Sequence, residues 1–372
     1  MAGVGWNGGS WVNASLDGLT FSDYKTILNN VVRLGHNTIR ISFYDRGVLN
    51  DTPMNGVDYS IGSNSELKSL TYLGCLDRII DYCGTIGLRV VFVSHNNEGG
   101  HGPADNYGSS NANGLWYDVG GASDGTDGGG NLGTISDALW INVWETIARR
   151  WKNKPAILGY DLRNEPASYG SLWEKGVGSN RNIRYAYERA GNAIHAIDPR
   201  PLIICEGPQD YSENFANTWP AAPEGDLSLV QQLPVNLVIP NKVVYSVHEY
   251  SNVVNKYTGP DSGPEYIARM NANWGYLYQT NIAPVWIGEM GQWLTTSADF
   301  AYADTLVSYL NGQAPGGIKF SGSEQGVGTS WWNLNVNENF ATQPPFFGIW
   351  TSWNNPDFRP DQKPYLLALQ QK

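Results

Sequence analysis

"GYDLRNEP", residues 159–166, sets an Asn-Glu-Pro directly behind an apolar run. Pro166 has no N–H to give a sheet ladder and biases the residue before it away from helix. The run "AILGYDL" (156–162) therefore reads as a strand, with the Glu165 carboxylate left at its tip. A helical pattern over 136–151 precedes it. Another, over 181–197, follows and leads into the apolar "LIICEG" (202–207). Strand, helix, strand at that spacing is a βαβ unit.

The unit repeats in both directions. Upstream strands are expected at 3–6, 37–42 and 88–95, with helices at 22–34 and 65–86, the latter capped by Ser65. Downstream strands are expected at 243–250, 284–291 and 328–334, with helices at 264–280, 299–311 and 363–371. The strands are apolar runs rather than alternating ones, as in a parallel sheet covered on both faces. Eight such units predict an α/β fold of (β/α)8, or TIM-barrel, type. A doubly wound sheet is the rival, but it gives no reason for eight units, and no G-x-G-x-x-G follows the first strand. Segments after strands are long (43–64, 96–135, 208–241, 251–263, 335–362), whereas those leading into strands are mostly short. Long loops on one barrel face mark the side where active sites sit. The chain reads as one catalytic domain over 1–372, without linker or repeat.

Composition narrows the partner. The 372 residues include 41% hydrophobic and 16% charged residues, with a net charge of −11. An acidic chain does not favour nucleic acid or anionic lipid. No apolar run approaches the roughly 18 residues of a membrane span, and no secretory signal is visible. The three cysteines, Cys75, Cys83 and Cys205, are sparse and odd in number, and Cys75 and Cys83 lie too far apart along one expected helix to bridge, which argues against a disulfide framework; they read as small buried hydrophobes. Fifteen Trp and 21 Tyr are many. Trp140 and Trp144 lie on a helical face and read as core. Others fall in Gly- and Asn-rich segments such as "ANGLWYDVGG" and "FANTWPAAP". There a flat ring with a polar handle suits a partly wet ligand such as a sugar.

The polar residues at the expected strand ends are Arg40, His95, Asn164, Glu165, Glu206, His248, Glu249, Tyr250, Glu289 and Trp332. Each has a plain structural reading: an ion pair for Arg40, a satisfied core histidine for His95 or His248. Glu206 and Glu249 are read as structural. The joint pattern is harder to dismiss, because strand, position and residue type agree several times. His-Glu-Tyr at 248–250 is not H-E-x-x-H, and no other spacing implies zinc, so neither metal nor cofactor is expected. The serines near these tips lack a G-x-S-x-G elbow. Two opposed carboxylates are what glycoside hydrolysis requires: one protonates the leaving oxygen, the other attacks the anomeric carbon or activates water.

In order and place, "NTIRIS", "LRNEP", "VHEY", "VWIGEMG" and "SWWNLN" resemble glycoside hydrolase family 5, in particular its bacterial endo-β-1,4-glucanases (cellulases). The resemblance covers nearly the whole chain. It implies Glu165 as general acid/base and Glu289 as nucleophile. Asn164 would bond the sugar 2-hydroxyl, Arg40 and Tyr250 would orient an ionised Glu289, and His95 and His248 would line the same subsite. Trp332 would be a stacking platform, followed by a cis peptide to Asn333. Trp116 and Trp219, on loops after strands three and five, resemble positions near the cleft, and at least one of them is expected to stack on a more distant sugar. The implied partner is a neutral β-linked polysaccharide or oligosaccharide, met by a monomer. The substrate class points to a secreted enzyme. Mannan, xyloglucan or mixed-linkage glucan as substrate, and a non-catalytic sugar-binding barrel, stand as alternatives. Four features depart from the family: Ala167 where His often follows Asn-Glu-Pro, Ser94 where a basic residue often precedes the strand-three histidine, the Gly-rich insert 120–133, and a first strand expected almost at the start, without the N-terminal hairpin common in relatives.

Overall fold

The computed structural model describes residues 1–11, 14–99, 114–118, 134–168, 170–209, 222–255, 259–321, 326–336 and 347–370. Its strands are β1 (Ala2–Trp6), β2 (Thr38–Tyr44), β3 (Arg89–Asn96), β4 (Ile157–Asp161), β5 (Leu202–Glu206), β6 (Val243–Tyr250), β7 (Val285–Gly291) and β8 (Gly328–Trp331). All neighbours pair in parallel, and β8 closes on β1 to complete an eight-stranded barrel. The helices are α1 (Tyr24–Arg33), α2 (Asp45–Asn50), α3 (Tyr72–Thr85), α4 (Asp137–Trp151), α5 (Ile183–Ile197), α6 (Asn252–Asn255), α7 (Gly263–Met270), α8 (Tyr276–Gln279), α9 (Ser297–Leu310) and α10 (Lys363–Gln370). The TIM-barrel expectation holds. Among the described residues no helix is long and apolar enough to cross a membrane.

Local chemistry explains the helix boundaries. Asp23 caps α1 by accepting from the N–H groups of Lys25 and Thr26. The single helix expected over 65–86 is instead a 3-10 turn, Gly62–Leu67, followed by α3. Ser69 between them takes a left-handed φ of 67°, which a continuous helix cannot contain. The cap of α3 is therefore Thr71, which accepts from Gly74 N, and not Ser65. The expected helix 264–280 is divided by a π turn at Asn271–Gly275. The segment 43–64, expected as loop, holds α2.

Aromatic packing ties the helices to the barrel. Trp140, Trp144 and Trp151 of α4 are buried. Trp151 stacks on Phe92 of β3 at 4.4 Å, and Trp144 meets Phe43 of β2 edge-on at 5.3 Å. Each buried ring of this kind contributes on the order of 2–3 kcal/mol. All three cysteines are buried and free.

Candidate active site

β4 stops pairing at Asp161, earlier than Glu165, but the chain stays pinned beyond it. Leu162 N bonds Ile204 O and Asn164 N bonds Ser94 O. Glu165 then takes a left-handed φ of 43°, unusual for a residue with a side chain. Its N–H is held at 2.9 Å by Glu206 Oε2. Its carboxyl turns to the mouth of the barrel, where the side chain is 23% exposed.

Arg40, fully buried on β2, stands at the centre. Its Nε bonds Asp161 Oδ2 at 3.0 Å, and Nη1 bonds Glu289 Oε1 at 2.5 Å. Nη2 reaches Asn164 Oδ1 at 2.8 Å and Glu206 Oε1 at 3.2 Å. A guanidinium can be buried here because planar acceptors surround its fork of donors. Glu289, on β7, also accepts from Tyr250 OH at 2.7 Å. A register shift between Val247 and His248 sets His248 directly beside Glu289. His248 Nδ1 then lies 2.8 Å from Glu165 Oε1 and 3.7 Å from Glu289 Oε2. Its Nε2 lies 3.1 Å from Glu206 Oε1, a contact too bent to rank as a good hydrogen bond but close enough for a strong charge interaction.

The two candidate carboxyls sit in unlike surroundings. Desolvation raises Glu289 above the ordinary carboxylate value, outweighing the opposing pull of His248, Arg40 and Tyr250. Arg40 thus pulls toward ionisation, as expected, but burial wins the balance. Burial also raises Asp161, helped by the charge of Glu206 and opposed by Arg40 and His248. Glu206 is lowered: desolvation works against it, but His248, Arg40 and the Glu165 N–H together prevail.

Trp332 lies at the end of β8, and its peptide to Asn333 is cis, as the resemblance implied. The indole stacks on His95, 5.6 Å between centroids and 11° between planes. It also lies against Gly5 of β1, where a Cβ would come within 2.7 Å of Trp332 Cε3. The ring therefore needs a glycine at that point. Arg40, His95, Asn164, Glu165, His248, Tyr250, Glu289 and Trp332 thus lie around one mouth of the barrel. Glu206, read as structural, touches Arg40, His248 and the backbone of Glu165. One expectation fails. Trp116, expected to meet sugar, is 2% exposed, packs on Trp140 and donates from Nε1 to Asp137 Oδ1 at 2.7 Å. Its loop composition hid a helix-facing anchor. Trp219 and the insert 120–133 lie outside the described residues. At the departure Ser94, a guanidinium still arrives: Arg163 Nη1 is 3.3 Å from Ser94 Oγ and 3.4 Å from Asp45 Oδ2.

Two trios, Asp161–Glu206–His248 and Glu165–His248–Glu289, bring ligand-type atoms within 4.8 Å of one another. The first already faces the Arg40 guanidinium and the second is built on the His248 ring, so both read as charge and proton networks of the chain itself. A separate cavity of about 380 Å³ begins at Ser168 and is lined by Trp173, Pro208 and Asp226 among others; none of the residues named for catalysis lines it.

A closed parallel barrel with glutamates at the ends of β4 and β7 has the makings of a glycosyl hydrolase. The family described as "Cellulase (glycosyl hydrolase family 5)" matches residues 2–338, and the chain belongs to it. It is 29% identical over 363 residues to an endoglucanase of Paenibacillus polymyxa, covering 95% of this chain and 80% of that one. Identity to the major extracellular endoglucanase of Xanthomonas campestris pv. campestris is 26% over 350 residues, covering 89% of this chain but 61% of the relative. Among solved structures, an endocellulase from Pyrococcus horikoshii in complex with cellotetraose matches with a TM-score of 0.77 at 26% identity, over 100% of this chain and 92% of that one.

Proposed function

We propose that the protein is a retaining endo-β-1,4-glucanase acting on cellulose or a related β-glucan. One observation carries the mechanism: an oxygen of Glu165 and an oxygen of Glu289 lie within 4.8 Å of each other. That favours a retaining pair, whose carboxyls stand about 5–5.5 Å apart, over an inverting pair at about 6.5–9.5 Å. Glu289, clamped by Arg40 and Tyr250, attacks the anomeric carbon. Glu165, open to the cleft, gives its proton to the departing glycosidic oxygen. Water then donates a proton to Glu165 while its oxygen displaces Glu289, restoring both groups. Asn164 Nδ2 is buried without a partner among the described residues, which supports its donating to the sugar 2-hydroxyl. Trp332 supports the ring from beneath.

The test is to incubate the protein with cellotetraose, carboxymethyl cellulose, mannan, xyloglucan and mixed-linkage glucan, and to follow the first product by NMR. Internal cleavage of the β-1,4-glucans with the β-anomer appearing first is expected. The α-anomer would overturn retention, and a clear preference for mannan would move the substrate. Binding without cleavage would make the protein a lectin-like barrel. The relative named as extracellular supports action outside the cell, and we take the chain to act as a monomer. Light scattering at a single-chain mass, and activity in the medium of the source organism, test those two points.

A further inference from the structure

We propose that Glu206 is a positioning residue that fixes the acid/base Glu165 at both ends, holding its backbone directly and its proton through His248. This rests on Glu165 being the proton donor. Each Glu206 oxygen has its own task. Oε2 accepts the N–H of Glu165 at 2.9 Å, at the one point where that residue adopts its left-handed backbone. Oε1 faces His248 Nε2 at 3.1 Å, and the far side of that ring meets the Glu165 carboxyl at 2.8 Å.

The pairing decides the imidazole's tautomer. A carboxylate beside Nε2 keeps a proton there. Nδ1 is then left to share one proton with Glu165 Oε1. The pair can be imidazolium and carboxylate, or neutral ring and carboxylic acid, and substrate entry can move the proton toward Glu165. With Nε2 bare, Nδ1–H would donate permanently to an ionised Glu165, and the general acid would be missing.

The groups facing this pair come from the whole barrel wall. Arg40 and Asp161 lie beside Glu206, while Tyr250 and Glu289 lie on the side of His248. Cys205 precedes Glu206, and Tyr187 of α5 donates to the Glu206 carbonyl at 3.0 Å. Burial by itself pulls His248 down. Glu206 leads the opposing charges, followed by Glu289, and the ring ends well above its ordinary value.

The test compares Glu206→Gln with the parent on two substrates. The glutamine keeps shape and loses charge, and its single oxygen cannot both accept from Glu165 N and face His248 Nε2. On cellotetraose, kcat should fall at least about tenfold with KM little changed. The basic limb of the pH profile should move down by about one unit, because a negative charge beside the protonated ring is gone. On dinitrophenyl cellobioside, whose leaving group needs no proton, kcat/KM should change less than about threefold. Equal loss on both substrates, or an unmoved basic limb in a folded variant, would overturn the proposal. A measurement on the unaltered protein stands apart from any folding defect. The nitrogen-15 spectrum of His248, assigned by its loss in His248→Gln, should show Nε2 protonated at neutral pH; Nε2 bare would overturn the proposal. If the parent cleaved neither substrate, the glucanase reading would fail, while this spectrum would still decide the pairing.

Discussion

His248 and Glu249 are neighbours in β6, yet they belong to two buried ionic clusters on opposite sides of the barrel wall. His248 faces inward, to Arg40, Glu165, Glu206 and Glu289. Glu249 faces the helices, where Tyr266 OH donates to it at 2.6 Å and Trp274 Nε1 at 2.7 Å. Its companions are Glu224, which accepts from Asn273 at 3.1 Å, and Arg269, 3.3 Å from Glu224. Both clusters bury more carboxylates than cations. The outer one is sealed by neutral donors, and Glu249 is fully buried. In the inner one, Glu165 opens to the cleft. Buried charge alone does not mark a catalytic site; a buried network ending in one reachable carboxyl does.

Substitutions should separate the two clusters sharply. The largest effect belongs to the proposed reacting pair. Glu289→Ala should lower kcat/KM on cellotetraose by at least about 10⁴-fold, and Glu165→Ala by about 10²–10⁴-fold. Only the Glu165 variant should retain cleavage of dinitrophenyl cellobioside. If either variant kept parental activity on cellotetraose, the inner cluster would lose its catalytic role.

Tyr250→Phe comes next. Glu289 Oε2 loses its hydroxyl donor, so turnover should drop about 10–100-fold. Removing a hydrogen bond to the charged form raises the carboxyl further, so the acid limb should move to higher pH. An acid limb that stays put or moves down would detach Tyr250 from the nucleophile.

The smallest catalytic effect belongs to Glu249→Gln, with kcat within about threefold of the parent. Its signature is in stability. Burial, reinforced by Glu224, raises Glu249 to about 7. A folded value above the unfolded one means that its contribution is fully present below the unfolded value and lost as pH rises. The window runs from about pH 4.5 to about pH 7, and the loss is at most about 3 kcal/mol. Urea unfolding should therefore show the variant gaining on the parent as pH rises through that window. A gap independent of pH would mean that Glu249 is ionised throughout.

Much of this was legible in the sequence, for physical reasons. Apolar runs ending in charge gave the eight strands, and Arg40, His95, His248 and Glu289 stood out because a strand end is a poor place for unpaired polarity. What the sequence lacks is the phase of each side chain about the wall. An extra residue in β7, Gly288, skipped between the Val247–Ile287 and His248–Glu289 pairs, turns Glu289 inward beside His248, and nothing local announces it. Trp116 was misjudged because a Gly-rich stretch looks exposed, whereas Asp137 and Trp140 of α4 cover the ring. The break at Ser69 rests on one backbone angle that no spacing reveals.

The central claim, that Glu289 attacks the sugar while Glu165 moves the proton, is open to direct capture. A cellobioside carrying fluorine in place of the hydroxyl beside the anomeric carbon, with a dinitrophenyl leaving group, slows release of the intermediate more than its formation. Digestion and mass spectrometry of the treated protein should find the sugar on Glu289 alone, bound to its carboxyl oxygen. A label on Glu165 or any other residue, or no label in a protein that releases the α-anomer, would contradict the account.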